Sequence, residues 1–401
     1  MSDWFLRPHH QELRQSVRAF AEREVAPRVA HMEAAGAIER ELAWSIAAQG
    51  WIGATIDRSY GGMGAGHLAK TLIIEELSRV SGAMGAMVQA SQLGTAKIIH
   101  FGSEEQKKTW LPAIAAGECL PTIAVTEPQS GGHVLGMSGT AVRVGDTYVL
   151  NGRKIYVGNS DIGTLHGVVM RTGGGSSGLS AFLVEAGRSG LHVGEQQAMG
   201  LRGFGFGELL FDNCRVPAAN LLGREGEGLA VAYSSSVLYG RPNLAAVALG
   251  IHQAIVEETV GFAADRRRYG QPLHTLSTIR LKIGQLQSRL MTARLAAYHA
   301  AHLLDQGQPC DAELMNAKLL NTELALDSAR AAMEIHGACA LFTDRPIERY
   351  LRDAHHLFAP AGTSDIQLRR LGEMALGLGK GQWSARLAPA DDRSADVCVE
   401  V

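Results

Sequence analysis

The sequence predicts a mainly helical protein with a β domain in its middle. Apolar residues recur at helical spacings of three and four in roughly the first 120 residues, and again beyond about residue 227. Between these regions, apolar and polar residues alternate and turn signals follow every few positions. We therefore expect an N-terminal helical domain (1–121), a middle antiparallel β domain (122–226), a C-terminal helical bundle (227–382) and a poorly ordered tail (383–401).

The clearest single elements support this order. In the middle region, Asn151-Gly152 interrupts an alternating stretch and is the strongest short signal for a β-hairpin. In the last region, two long apolar stripes flank the turn 306–309 and predict antiparallel helices that pack together. The stripes comprise Ile279, Ile283, Leu286, Leu290, Ala293 and Ala297, and then Met315, Leu319, Thr322, Leu326, Ala329 and Met333.

Composition excludes several classes of function. The 401 residues are 46% hydrophobic and 19% charged, which is typical of a globular chain. A net charge of -2 with 6% aromatic residues indicates no nucleic-acid partner. The five cysteines have no metal-like spacing, so we expect reduced thiols and no metal site. No stretch has the length of a signal peptide or a membrane span, and a cytoplasmic location is expected.

Several patches, in a fixed order, resemble the acyl-CoA dehydrogenase family. The resemblance covers about residues 5 to 380. Its motifs are Ala124-Val125-Thr126-Glu127-Pro128, Asn151-Gly152-Arg153-Lys154 with Asn159, Asp265-Arg266-Arg267-Arg268-Tyr269-Gly270, and Gly362-Thr363-Ser364-Asp365-Ile366-Gln367, with support from residues 101–107 and 352–354.

This resemblance implies a fold, a cofactor and partners. The bundle should have four helices, and FAD should lie between the β domain and the bundle. A neighbouring subunit should complete the site for the adenosine diphosphate, so a homotetramer or homodimer is expected. The implied substrate is an acyl thioester of coenzyme A or of an acyl carrier protein, and the electron acceptor is an electron-transferring flavoprotein or O2.

The cofactor contacts follow by resemblance, residue by residue. Val125 and Thr126 should donate to the flavin N5 edge, and Tyr156 and Gly158 should form the wall behind the ring. An arginine fork is suited to the pyrophosphate, which is a dianion. The expected contacts on the pyrophosphate and adenine side are Arg266, Arg268, Tyr269, His336, Gly337, Thr363 and Asp365.

The substrate contacts are less closely defined. Phe204 and Phe206 lie in a glycine-rich stretch that opens no predicted helix, so it is not a dinucleotide-binding loop. By resemblance this stretch lies near the acyl group. Gly132, Tyr239 and Arg241 are also expected to contact the substrate.

The family's catalytic carboxylate is missing from the sequence. Most members carry this base directly before the Gly-Thr-Ser motif, where this chain has Ala361. A minority carry it before an arginine of the bundle, where this chain has Gly240 before Arg241. No residue can therefore be assigned as the base, and Leu238 replaces a frequent pantetheine-binding aspartate.

Three functions remain open at this point. One is an acyl-thioester oxidoreductase with a relocated base, for which the neighbouring candidates are Tyr239, His133, His355 and His356. Another is a flavin-dependent oxygenase acting on a cyclic acyl-CoA thioester in secondary metabolism, similar to the tropone-forming enzymes. The last is a catalytically silent flavin-binding subunit.

Overall fold

The N-terminal domain is helical, as predicted. The computed structural model describes residues 5–379 and 381–387. A capping box between Ser103 and Gln106 starts the last helix of this domain, because each residue's side chain binds the other's backbone N–H. The α-helices are α1 (Pro8–Phe20), α2 (Val29–Ala35), α3 (Arg40–Ala47), α4 (Gly66–Val80), α5 (Gly82–Phe101) and α6 (Glu104–Ala115).

The middle domain is built on a sheet in which strand order differs from chain order. Its strands are β1 (Pro121–Ala124), β2 (Thr140–Val144), β3 (Thr147–Gly158), β4 (Leu165–Arg171), β5 (Leu179–Glu185), β6 (Leu191–Gly194), β7 (Phe206–Pro217) and β8 (Leu221–Leu222). Their order is β6-β7-β3-β2-β4-β5-β8, with β1 on β4.

The sheet is mixed, which corrects the expectation of an antiparallel domain. β1 pairs with β4 in parallel, with Pro121 opposite Leu165 and Ala124 opposite Val168. The remaining long pairings, including β3 with β7, are antiparallel. The parallel pair arises because β1 leaves the N-terminal domain and enters the sheet beside a strand that is distant in sequence.

The C-terminal domain returns to helices, and the two predicted stripes lie on its longest helices. The elements are α7 (Gly228–Ser235), α8 (Arg241–Asp265), a short hairpin of β9 (Arg267–Arg268) and β10 (Gln271–Pro272), α9 (Ser277–Asp305), α10 (Asp311–His336), α11 (Pro346–His356) and α12 (Ser364–Ala375). α4 and α5 pack against α8, which joins the N-terminal domain to the bundle.

The start of the predicted tail is ordered. The Asp311 carboxylate accepts hydrogen bonds from the backbone N–H groups of Trp383 and Ser384, at 2.8 and 2.9 Å. Trp383 stacks on Tyr233 with 5.8 Å between ring centroids. Residues 383–387 therefore pack on the bundle, and residues 388–401 of the predicted tail lie outside the described residues.

Candidate active site

The two positions that could have held a catalytic carboxylate meet at one point. Gly240 ends a π-helical turn, Ser236–Gly240, directly before α8. A Cβ atom placed on Gly240 would lie 3.3 Å from Cβ of Ala361 and 3.6 Å from the Ser236 hydroxyl. Sequence alone identifies both positions but cannot show that they face each other. The fold therefore brings these two positions into contact, and neither residue carries a carboxylate.

Side chains of the helical bundle hold the loop that carries Ala361 through hydrogen bonds. The Lys318 ammonium donates hydrogen bonds to the carbonyls of Phe358 (2.7 Å) and Gly362 (2.9 Å). The amide of Gln367 donates to the Ala361 carbonyl at 2.9 Å. Ala361 itself has a positive φ of 55°, an uncommon conformation for alanine. Such conformations persist where surrounding contacts fix them, and here those contacts come from Lys318 and Gln367.

Burial changes the protonation of Lys318. Its side chain is fully buried, and burial lowers the pKa of Lys318 to about 8, with Arg241 adding a smaller repulsion and Glu323 opposing it. The amine therefore remains mostly charged at neutral pH. A charged donor binds the two carbonyls more strongly than a neutral one, so Lys318 stiffens the loop.

The candidate replacement bases are dispersed. The Tyr239 hydroxyl donates to the Thr55 hydroxyl at 3.1 Å, and its ring lies 4.2 Å below the Lys70 ammonium. Tyr239 is buried, and burial raises the pKa of its phenol to about 12. It lines neither of the two cavities described below, and its contact with substrate stays a prediction.

The histidine candidates differ in their surroundings. His133 and His355 are exposed, whereas His356 packs edge-to-face on Phe206 with 5.2 Å between ring centroids. Burial lowers the pKa of His356 to about 4, so its ring is neutral at neutral pH. Of the histidines named from sequence, His356 alone contacts the aromatic cluster described next.

The predicted flavin wall belongs to a stack of aromatic rings. Tyr156 and Phe204 each stack on Phe206, with 5.7 and 5.9 Å between ring centroids, respectively. Tyr156 is 57% exposed and has a φ of 57°. An exposed aromatic face beside two phenylalanines provides a flat apolar surface, which suits an isoalloxazine ring.

Gly158 is fixed by close packing on both sides. A Cβ atom at this position would lie 2.9 Å from Cβ of Ala90 on α5 and 2.9 Å from the Phe204 ring. The end of β3 therefore approaches α5 more closely than any larger residue would permit. The sequence does not indicate this close contact, because the proximity of α5 has no local sequence signal.

A buried ion pair shapes the segment next to the predicted flavin edge. The Lys154 ammonium lies 2.7 Å from a carboxylate oxygen of Glu127 and donates to the Val125 carbonyl at 3.1 Å. Glu127 also accepts the backbone N–H groups of Ser138 (2.7 Å) and Gly139 (3.0 Å). Although burial opposes the charge, the ammonium and these donors hold the pKa of Glu127 below its usual value.

The two residues expected at the flavin N5 edge follow β1. The Val125 carbonyl is bound by Lys154, and the Thr126 carbonyl accepts the Ile155 N–H at 2.9 Å. Within residues 5–379 and 381–387, the Thr126 hydroxyl has no hydrogen-bond partner and is partly exposed. Gly132 is exposed on the loop that follows.

The residues expected near the pyrophosphate form a second group. Arg266 and His336 line a concavity of about 1130 Å³ beside Phe262, whose ring stacks on His336 at 4.1 Å. Gly337 follows α10 with a φ of 67°, and a Cβ atom placed on it would have no neighbour within 4 Å. Arg268 and Tyr269 are exposed on the β9–β10 hairpin, and Tyr269 is 84% exposed.

The adenine-side residues lie at the start of α12. Thr363 is its N-cap residue, and Asp365 is exposed in its first turn. Gly362, just before them, has a φ of 95°, which permits the sharp entry from Ala361 into the helix. These residues continue directly from Ala361, whereas Arg266 and His336 line the separate concavity.

The residues present fit FAD as two partial sites. An unpartnered hydroxyl at Thr126 and the exposed Tyr156 ring suit the flavin end. The guanidinium of Arg266 and the open turn at Gly337 suit a pyrophosphate. The residues of the flavin end and those of the pyrophosphate end lie on different elements of the chain.

Other cofactor classes have no such support. In the part of the chain that the structure describes, no cluster of histidine, cysteine, aspartate or glutamate side chains has metal-binding geometry. Over the same residues, no helix combines the length and apolar character needed to cross a bilayer.

Comparison with family models gives the class of protein. Residues 7–118, 122–214 and 226–376 match the N-terminal, middle and C-terminal domains of acyl-CoA dehydrogenases, respectively. The fold and the site geometry agree with this match across all three domains. The chain belongs to the acyl-CoA dehydrogenase family, and its cofactor is FAD.

Individual relatives cover nearly the whole chain. An acyl-CoA dehydrogenase of Bacillus subtilis is 36% identical over 369 residues, which is 91% of this chain and 97% of the relative. Butyryl-CoA dehydrogenase from Megasphaera elsdenii has a similar structure, with a TM-score of 0.90, 30% identity and coverage of 92% and 99% of the two chains. The prolyl acyl carrier protein oxidase AnaB is also similar, with a TM-score of 0.88, 28% identity and coverage of 92% and 99%.

Proposed function

We propose that this protein is an FAD-dependent oxidoreductase that oxidises an acyl thioester without a protein carboxylate at either usual base position. The observation that carries the proposal is the meeting of Gly240 and Ala361, whose Cβ positions lie 3.3 Å apart. A substrate α-carbon beside them would find no carboxylate from either residue. The α-proton must therefore leave to a solvent molecule, to a group of the substrate, or to a relocated side chain.

The remaining parts of the site retain their roles. When bound, FAD supplies the acceptor for the substrate hydride. The Ala361 N–H can still polarise a thioester carbonyl, because replacing a side chain leaves the backbone donor in place. Lys318 and Gln367 fix the loop from which that donor points. Tyr156, Phe204 and Phe206 exclude water from the ring face.

The carrier and the acceptor are part of the proposal. Leu238 is buried in the bundle and offers no polar contact where a pantetheine-binding aspartate is frequent. Without this contact, coenzyme A would bind less tightly. A carrier protein is favoured, because its surface can contribute binding energy of its own. AnaB, a structural relative, acts on a carrier-protein thioester. Electrons would pass to an electron-transferring flavoprotein or to O2, within a homotetramer or homodimer in the cytoplasm.

Flavin bleaching under anaerobic conditions tests the oxidation. Saturated acyl thioesters on coenzyme A and on a carrier protein should reduce the flavin slowly. Ala361→Glu should accelerate bleaching about 100-fold or more, because a positioned general base contributes about 10²- to 10⁴-fold. Ala361→Gln has the same size without the basic oxygen, so it should leave the rate near that of the natural protein. Colour that persists in both the natural protein and Ala361→Glu would refute the proposal.

A flavin-dependent oxygenase is the second candidate, and the same lack of a carboxylate favours it. An oxygenation that begins at O2 needs no α-proton acceptor, and the three stacked rings suit a cyclic acyl group. Turnover of cyclic acyl thioesters under ¹⁸O2 should then label the product. Product without label would remove this candidate, and a purified homo-oligomer with any turnover would exclude the catalytically silent subunit.

A further inference from the structure

A small cavity opens beside Arg241, one residue beyond the empty base position. Its volume is about 150 Å³, below the roughly 300–1,000 Å³ of pockets that hold a whole drug-sized ligand. A cavity of this size suits the end of a larger molecule. Its charged walls are Arg241, Asp311, Arg370 and Glu373, and its principal apolar walls are Leu229, Tyr233, Val237, Met315 and Trp383.

Arg241 has no direct ion-pair partner among the described residues around this cavity. Its Nε atom is buried without a hydrogen-bond partner, and the described residues include no carboxylate within 4.0 Å of its guanidinium. Burial lowers the pKa of Arg241 to about 10, so the side chain stays charged at neutral pH. An unpaired buried charge is costly, and an anionic ligand would remove that cost.

The two carboxylates of the cavity are already engaged. Asp311 attracts Arg241 electrostatically, but its oxygens accept the Trp383 N–H (2.8 Å) and the Ser384 N–H (2.9 Å). Glu373 lies 3.4 Å from Arg370. Neither carboxylate pairs directly with Arg241, whose buried Nε keeps an unused donor.

The cavity adjoins the reaction centre along two helices. On α8, Arg241 directly follows Gly240, whose Cβ position meets Ala361. On α10, Met315 lines the cavity, and one turn later Lys318 binds the loop of Ala361. A substrate whose thioester lies at Ala361 can thus extend an end group toward Arg241.

We propose that the Arg241 cavity binds a carboxylate at the far end of the acyl group, so that the preferred substrate is the thioester of a dicarboxylic acid. This inference rests on the proposed acyl-thioester function and adds the class of acyl group. The flat Tyr233–Trp383 pair, with 16° between ring planes, would enclose the chain between thioester and carboxylate. Any oxyanion can accept hydrogen bonds from the Arg241 guanidinium. A phosphate group of the carrier is therefore the alternative ligand.

Calorimetric binding to the FAD-loaded protein separates these possibilities without requiring turnover. The ligands are the butanoyl, glutaryl and glutaryl-terminal-amide thioesters of N-acetylcysteamine, which carry no phosphate. The natural protein should bind the glutaryl thioester about 10- to 100-fold more tightly than the other two, as expected for hydrogen bonds to a charged group. Arg241→Met should abolish this preference, and Arg280→Met, at an exposed arginine of α9, should retain it.

Two further measurements distinguish binding from a structural role. Arg241→Met should unfold at an unchanged or higher temperature, because it removes an unpaired buried charge. Val237→Phe, which fills the cavity and keeps Arg241, should also lose the preference for the glutaryl thioester.

Other results would overturn the inference. Equal binding of the glutaryl thioester and its amide would do so, as would a preference that persists in Arg241→Met. If Arg241→Met weakens only coenzyme A thioesters, whatever their acyl group, the anion belongs to the carrier and the dicarboxylic assignment fails. Flavin bleaching reports separately on the proposed function, since glutaryl binding can hold where bleaching fails.

Discussion

At the scale of single residues, the site is defined as much by missing side chains as by present ones. Gly240, Ala361 and Gly158 each bring backbone close to a neighbouring element. At Gly158 the requirement is steric, because α5 and Phe204 leave no room for a methyl group. At Gly240 and Ala361 two small residues meet closely, and neither carries a carboxylate.

Gly158→Ala should disturb the flavin wall. Its added methyl group would lie 2.9 Å from both Ala90 and Phe204, and overpacking of this kind costs about 1–3 kcal/mol. The free energy of unfolding in urea should fall by that amount, and the flavin absorbance spectrum should shift. Gly174→Ala, at a loop glycine with no atoms within 4 Å, is the matched control and should change neither measurement.

The Glu127–Lys154 pair should be essential for stability. Both side chains are buried, so Lys154→Met would leave a buried carboxylate without its cation, bound only by neutral donors from Gln129, Ser138 and Gly139, which costs about 3–5 kcal/mol. Arg153→Met removes the neighbouring pair with Glu208, where Arg153 is 50% exposed, and should cost about 1 kcal/mol or less. Urea unfolding measures both changes, and equal losses would contradict the distinction.

At the scale of elements, the entry into α8 positions the empty site. The π-helical turn Ser236–Gly240 widens the helix by one residue before α8 begins. Such turns occur frequently at functional sites because they re-aim the side chains that follow. Here the turn directs Gly240 toward Ala361 while Tyr239 remains in the neighbouring core.

Within α8, His252 should make the fold sensitive to acid. Its ring is buried, and neither nitrogen has a hydrogen-bond partner among the residues that the structure describes. Burial, with Arg294 nearby, lowers the pKa of His252 to about 3. The unfolded chain takes up a proton below about pH 6.5, whereas the folded chain does not. Stability should therefore fall between about pH 6.5 and about 3, by at most about 1.4 kcal/mol per pH unit.

Thermal unfolding against pH checks this expectation. His252→Leu should flatten the decline without loss of stability at neutral pH, since no hydrogen bond of the ring is removed. His192→Leu, at an exposed position on β6, should leave the decline intact. If stability falls with decreasing pH equally in His252→Leu and in the natural protein, other titratable groups cause the fall.

At the scale of the whole molecule, the separated halves of the cofactor site predict that FAD binding and assembly are coupled. Arg266→Met should weaken FAD binding about 10- to 100-fold, because a charged hydrogen bond to pyrophosphate is lost. Fluorescence of released flavin measures that change, with Arg280→Met as the control. Sedimentation of the FAD-free protein should then show smaller species than the FAD-loaded protein. Full retention of FAD by a dilute monomer would contradict the shared site.

The parts of this fold that sequence can predict are those governed by local periodicity. The stripes of α9 and α10 and the turn between them follow from residue spacing. The hairpin predicted at Asn151-Gly152 was wrong, because both residues lie within β3, where the pairing with β7 has a register shift between Leu150 and Gly152. The parallel pairing of β1 with β4, the approach of Gly240 to Ala361 and the burial of Tyr239 bring together residues far apart in the chain. No local pattern encodes such contacts.

The anchoring of Trp383 by Asp311 has a consequence for how the protein is made and handled. One wall of the Arg241 cavity comes from a residue near the C-terminal end of the described chain, whereas Arg241 itself lies far upstream. On the ribosome, that wall therefore emerges well after Arg241. A purification tag fused close to Trp383 would disturb the same wall. We therefore expect such a tag to change ligand selectivity more than it changes the amount of bound flavin.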